Sequence, residues 1–286
     1  MGEANSCVLN RVFTRGNVRE WIEAGTSEPY RAAVQRYVPL REGLTNEECL
    51  YNLYRVLKRQ YRNEYYYKNT ILNKLLLGVH STRTTAALTE LPVGRSKADF
   101  ILINGDAVVY EIKTELDNLD KLSGQISDYY TAFRRVAVVT SESSYGQVRQ
   151  MLADQPTGIY VLTERGQLSC RKKPGIYEDA LSSRAMFRIL RKYEWEAILL
   201  EAYGALPQVS QFDYYRTCEA LFMNMQLHDA RTAMVRALKR RTRVDEEMYG
   251  RIPYDLKFVV YFSELKKKDY QKLENFLHAE WGKFQS

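Results

Sequence analysis

The 286-residue chain is poor in cysteine, histidine and proline, with four, three and seven of each, and it has no long apolar run. Cys7, Cys49, Cys170 and Cys218 stand apart from one another, with no Cys-x-x-Cys pair. That excludes a disulfide framework and fits a reducing cytoplasm. His80, His228 and His278 show no ligand spacing and no Gly-x-Ser-x-Gly occurs, so neither a histidine zinc site nor a serine triad is expected. The phosphate-binding pattern of P-loop NTPases is missing too. Leu75-Leu76-Leu77 and Ala197 to Leu200 fall far short of the roughly 20 residues of a membrane helix, and no membrane partner is expected. The start, Met1-Gly2-Glu3-Ala4-Asn5-Ser6, fits the loose myristoylation pattern but lacks the basic and apolar regions of a signal peptide.

What is present is an ordinary globular composition, 45% apolar and 27% charged, which argues against disorder. Lys and Arg number 42 against 35 acids, a net charge of +7, so the surface leans towards polyanions such as nucleic acid or an acidic membrane. Tyrosine is abundant, at 22 residues, and suits surfaces where a ring packs and a hydroxyl bonds.

Periodicity divides the chain into three expected parts. Residues 1–60 read as a polar helical region, with Thr45 capping a helix before Asn46-Glu47-Glu48. Helical spacing continues through Leu53, Leu57, Tyr61, Ile71, Leu75 and Leu76 to a glycine stop at Gly78. Residues 61–172 form the core. Strands are expected at 84–93, 98–103 and 107–114, the last two joined through Asn104-Gly105-Asp106. Asp117 or Asn118 caps a helix with an apolar face of Leu119, Leu122, Ile126, Tyr130 and Phe133. A buried strand at 136–140, a helix at 146–152 and a strand at 158–163 complete a mixed sheet flanked by helices, an α/β class. Lys172-Lys173-Pro174-Gly175 reads as a linker, and 173–286 as a mainly helical region. Within it, Val259 to Phe262 reads either as a short strand or as a buried helical turn.

Glu111 and Lys113, two apart on a strand, leave the same face. If the preceding loop holds three residues, position 103 pairs with 107 and Asp99 stands opposite Glu111, with Cβ atoms roughly 5 Å apart. A two-residue loop would instead turn Asp99 away. Two carboxylates across a strand pair need a positive charge between them. Lys113 can supply one. A divalent cation, Mg²⁺ or Mn²⁺, can bind both, and the lysine can then orient a water or offset charge on a phosphate. This combination suits phosphodiester hydrolysis.

The order Asp99, hairpin, Glu111-x-Lys113, then a helix with Gln125-x-x-x-Tyr129 resembles the PD-(D/E)XK nuclease superfamily and its RecB-like branch. The phrases Asn63 to Asn69, Val93 to Asp99 and Tyr110 to Asp117 look like those of a bacterial family within it. Ala98 stands where the superfamily's label has proline. The resemblance implies a restriction-endonuclease-like core and a Mg²⁺-dependent nuclease, with Asp99 and Glu111 as metal ligands and Lys113 as the water-positioning or charge-stabilising residue. It implies Glu64 as a helix-borne acid beside the metal. The residues alone leave Glu64 between that role and an i, i+4 ion pair with Lys68. They leave Gln125 and Tyr129 between the site and a half-buried helix edge.

Arg231 to Arg243 holds six basic residues and no acid. On a helix, Arg236, Lys239, Arg240 and Arg243 share one side, either a phosphate-tracking surface or a solvated face. Arg95 and Lys97, just before Asp99, are also placed for phosphate contact. The leading expectation is a nuclease acting on DNA in the cytoplasm, as in phage defence, alone, as a homo-oligomer or with a partner protein. The alternatives are a nucleic-acid-binding module with a vestigial metal site, and a protein-interaction subunit of a defence or repair system.

Overall fold

The computed structural model describes residues 4–78, 82–242 and 244–283. Its elements in chain order are α1 (Ala4–Val12), α2 (Arg15–Ala24), α3 (Glu28–Tyr37), α4 (Asn46–Gln60) and α5 (Glu64–Ile71), followed by a π-helical stretch, Leu72–Leu77. Next come β1 (Ala86–Val93), β2 (Ser96–Asn104), β3 (Asp106–Lys113), α6 (Leu122–Tyr130), β4 (Val136–Thr140), α7 (Glu142–Met151), β5 (Gly158–Leu162) and β6 (Leu168–Lys172). The chain then runs through α8 (Ser183–Ile189), α9 (Lys192–Tyr203), α10 (Gln211–Met223), α11 (Leu227–Lys239), α12 (Glu246–Gly250), α13 (Lys257–Tyr261) and α14 (Lys267–His278).

The fold is mixed α/β and divides into two compact units, residues 84–242 and residues 1–83 with 243–286. The expected boundaries after 60 and 172 do not coincide with this division. Residues 173–242 belong with the sheet because Phe187, Trp195, Leu199, Phe222, Met234 and Leu238 share one apolar core with Ile101, Val109 and Val138. The last 44 residues, read as part of the same helical region, instead join the first helices (286 − 242 = 44). Asn46 Nδ2 donates to the carbonyls of Phe276 and Ala279 at 3.0 Å, and the Trp21 and Phe276 rings stack at 5.4 Å.

In the sheet unit the strands lie in sequence order, β1 to β6. β1–β2–β3 is antiparallel, β3–β4–β5 parallel, and β5–β6 antiparallel. The strand β6 falls where only a linker was expected. Its alternation of half-buried and exposed residues gives little apolar signal, and its place comes from pairing with β5. Parallel β4 is apolar and fully buried, as its sequence predicts.

The helix ends follow capping chemistry. Thr45 and Glu48 make a reciprocal capping box on α4. Helix α6 begins at Leu122, later than expected, because Asp117 is spent on the Thr114 amide and hydroxyl and Asn118 on the loop. Gly78 has right-handed geometry (φ −86°) and is not the left-handed stop its position suggested. Val259 to Tyr261 is a buried helical turn of α13. Among the described residues, no helix is long and apolar enough to cross a membrane.

Candidate active site

The β2–β3 register pairs Ile103 with Ala107 and Asn104 with Asp106, the pattern of the three-residue loop. Gly105 takes φ +74° at its tip, where a residue without Cβ turns most cheaply. Carried along the strands, this register sets Asp99 against Glu111, but the ladder stops one pair earlier, at Phe100–Tyr110. Beyond it the Asp99 side chain replaces a backbone acceptor, its Oδ2 taking the Ile112 N–H at 2.8 Å.

Glu111 is only 1% exposed, and both its oxygens are engaged. Oε1 lies 2.9 Å from Lys113 Nζ, and Oε2 accepts from the Tyr129 hydroxyl at 2.6 Å. Burial pushes the Glu111 carboxyl above its usual range, while Lys113, Tyr129 and Gln125 pull it back. Burial likewise raises the Tyr129 phenol well above its ordinary value, and the charges of Glu111 and then Asp99 add to that rise. Tyr129 therefore feels both carboxylates. It is fully buried, not at a helix edge, and its hydroxyl also lies 3.0 Å from the Lys97 carbonyl. Gln125, one turn earlier on α6, faces Glu111, and its Oε1 is buried without a hydrogen-bond partner among the described residues.

From sequence Glu90 reads as an ordinary strand residue and only a weaker candidate ligand; its backbone geometry and the role of Asp128 are the two features that sequence reasoning missed. Glu90 has φ +57°, in the left-handed region where a non-glycine residue is uncommon. The irregularity interrupts β1–β2 pairing between Thr89–Phe100 and Leu91–Ala98, the stretch that flanks Asp99. Glu90 and Asp99 offer carboxylate oxygens within 4.8 Å of each other, and Glu90 pairs with Lys97 at 2.5 Å. The second feature is Asp128, between Gln125 and Tyr129 on α6. Its Oδ2 accepts from Ser96 Oγ at 2.6 Å and from the Arg95 amide at 3.1 Å. A Cβ on Gly94 (φ +62°) would come within 2.8 Å of Asp128 Oδ1, so the turn carrying Arg95 and Lys97 is fitted to this carboxylate. The only hint in the sequence was Asp128's place inside the Gln-x-x-x-Tyr spacing.

Asp99 and Glu90 bring carboxylate oxygens together of the hard kind that could hold Mg²⁺ or Mn²⁺, and Glu111 is a further carboxylate across the hairpin. Glu64 belongs to the other unit. The helical stripe used to place it is broken at 61–63, so Glu64 opens α5, where an acid suits the positive end of the helix dipole. Its side chain is 57% exposed and pairs with Lys68 at 2.5 Å, the alternative its spacing allowed.

The basic run on α11 divides. Arg231 is buried against Asp106, and Arg241 against Glu194. Arg236 pairs with Glu201 at 2.5 Å, Lys239 is half-buried at the last helical position, and Arg240 is exposed just past it. Arg243 lies outside the described residues, and α11 ends before it could extend the expected helical face. Arg95 is exposed in the β1–β2 turn and Lys97 is tied to Glu90.

Neither the curated proteins nor the solved structures contain a match to this chain. Among family models, the one described as bacteriophage P4 protein cII matches residues 57–274. That span is 218 of the 286 residues (274 − 57 + 1) and takes in every strand among the described residues, with Asp99 and Glu111, so the chain belongs to the bacteriophage P4 protein cII family.

Proposed function

We propose that this protein is a metal-dependent nuclease of the PD-(D/E)XK type that hydrolyses phosphodiester bonds in DNA. The observation that carries the reading is the convergence of Asp99, Glu111, Lys113, Gln125 and Tyr129 from two strands and one helix around a nearly inaccessible carboxylate. A divalent cation fits this donor set. Asp99 and Glu111 would hold it, Glu90 is a further carboxylate for it, and Gln125 Oε1, without a hydrogen-bond partner among the described residues, could accept from an ordered water there. When bound, such a cation lowers the pKa of water and neutralises phosphate charge.

The chain's own groups then have distinct tasks. Lys113 would hold the attacking water and offset negative charge as the water oxygen bonds to phosphorus and the bond to the leaving alkoxide breaks, the water's proton passing to solvent and the alkoxide taking one from it. Tyr129 fixes Glu111 Oε2 through its 2.6 Å bond, so the carboxylate keeps one orientation. Arg95 stands on a turn that Asp128 clamps and Lys97 on β2 two residues before Asp99, where they can receive flanking phosphates. The free Cys49, Cys170 and Cys218 fit action in a reducing cytoplasm.

One observation favours a second reading, a nucleic-acid-binding module with a vestigial site. Both Glu111 oxygens already have protein partners, so a cation would share them with Lys113 and Tyr129 through the remaining lone pairs, and the buried carboxylate is already satisfied without one. The deciding experiment incubates the full chain with circular and linear DNA and RNA in Mg²⁺, Mn²⁺ or EDTA. Metal-dependent cutting that falls about 10²–10³-fold in Lys113→Met supports the nuclease. Binding with no cutting under any metal supports the module instead.

A further inference from the structure

We propose that the outer face of α4, formed by Tyr51, Arg55, Lys58 and Arg59, is a docking surface for the phosphate backbone of nucleic acid. From Cys49 to Asn63 the chain has no acid and four basic residues. Leu50, Leu53, Tyr54 and Leu57 turn α4 onto its core. At about 100° per residue, that places Tyr51, Arg55, Lys58 and Arg59 together on the opposite side, and all four are exposed.

The charge on this face is uncompensated. Among the described residues, no ion pair engages Arg55, Lys58 or Arg59, and the contact of Arg55 with the Tyr51 ring leaves its charge unneutralised. The other basic runs differ, since Arg236 is held by Glu201 and Lys267 faces Asp245 at 3.8 Å. Lys58 and Arg59 also suit the negative end of the α4 dipole, which gives them a structural reason to be basic. That reason does not reach Arg55, which lies farther from the helix end with its guanidinium 5.7 Å from the Tyr51 ring centroid.

The helical rise separates Arg55 from Arg59 by about 6 Å along the axis, so the two cations can meet neighbouring phosphates of one strand. The Tyr51–Arg55 pair adds a flat ring on which an unpaired base can stack. Nucleic acid fits better than an anionic membrane. Tyr51 is the only large exposed apolar residue of α4, and a bilayer surface needs an apolar face to bury.

The partner class rests on the proposed nuclease reading, so binding is measured apart from cleavage. Full-length protein in EDTA is titrated with a short fluorescent duplex and a single strand over 50–200 mM salt. Arg55→Gln/Lys58→Gln/Arg59→Gln should flatten the slope of log affinity against log salt by up to about 2.7 on the duplex and about 2 on the single strand. Tyr51→Ala should weaken the single strand selectively, and Lys266→Gln/Lys267→Gln/Lys268→Gln should leave the slope near the parental value. Glutamine keeps helix propensity, circular dichroism checks the fold, and Arg55→Gln alone gives a one-contact version of the same test. An unchanged slope overturns the surface, as does parental DNA binding combined with lost binding to phosphatidylserine vesicles. If wild-type protein cuts DNA in Mg²⁺ while the triple variant keeps the parental slope, this surface falls and the nuclease stands. If the slope flattens and no form cuts, the nuclease falls and the surface stands.

Discussion

Replacing Lys113 with Met removes the ammonium 2.9 Å from Glu111 Oε1 while keeping most of the buried side-chain volume. Glu111, 1% exposed, is left with the Tyr129 hydroxyl and Gln125. Breaking a buried pair costs about 3–5 kcal/mol when the other partner stays charged. Glu111 has a cheaper route, because burial already raises its carboxyl above 4.5 and Lys113 is the chief group opposing that rise. Without Lys113 the folded protein takes up a proton, at about 1.4 kcal/mol for each pH unit above that ordinary value. The ceiling on the loss is therefore about 3.5 kcal/mol at pH 7 and about 1 kcal/mol at pH 5. The sign follows from linkage. The folded variant holds a proton that its unfolded chain releases, so its stability falls as pH rises from about 4.5 through the raised folded value. Hydrogen exchange of the β3 and β4 amides in EDTA reads the stability of the sheet unit at both pH values. The double variant Lys113→Met/Glu111→Gln should recover much of the loss, since no charge is then stranded. A deficit of equal size at pH 5 and pH 7, or none at pH 7, would refute the view that Lys113 keeps a buried carboxylate charged.

Gly94→Ala should cost about 1–3 kcal/mol, because it strains a residue at φ +62° and drives a Cβ into Asp128; an unchanged thermal midpoint would show that the turn relaxes freely. Asp255, buried with Oδ2 unpartnered, has its carboxyl pushed up to about 6 by burial. The folded state therefore holds its proton longer than the unfolded chain, and stability is lost as pH rises from about 4 to about 6. Asp255→Asn should stabilise the protein by at most about 3 kcal/mol at pH 7 and by little at pH 4, and denaturation curves showing equal gains at both would contradict this.

Much of the candidate site was legible because its logic is local. The period of two puts Glu111 and Lys113 on one face, and a three-residue loop carries that face to Asp99. The i, i+4 spacing of Gln125 and Tyr129 sends both towards Glu111. Glu64 was less legible, since the helix carrying its apolar stripe breaks before it. The basic run on α11 was only partly legible, because a run of like charges says nothing about acids supplied from elsewhere in the chain, such as Asp106 for Arg231 and Glu194 for Arg241.

The sequence by itself determined the α/β class, the approximate strand positions through β5 and the Thr45 cap of α4, and it narrowed the hairpin to two registers. Each of these follows from backbone periods and from side chains within a few residues of one another. The tertiary structure alone decided that residues 173–242 complete the core of the sheet unit and that the two ends of the chain form the other unit. It also decided that Asp128 clamps Gly94 and that Arg231 pairs with Asp106, 125 residues away. Such partners are chosen by where apolar faces find cover and buried charges find compensation, and that choice is made only when the whole unit has closed.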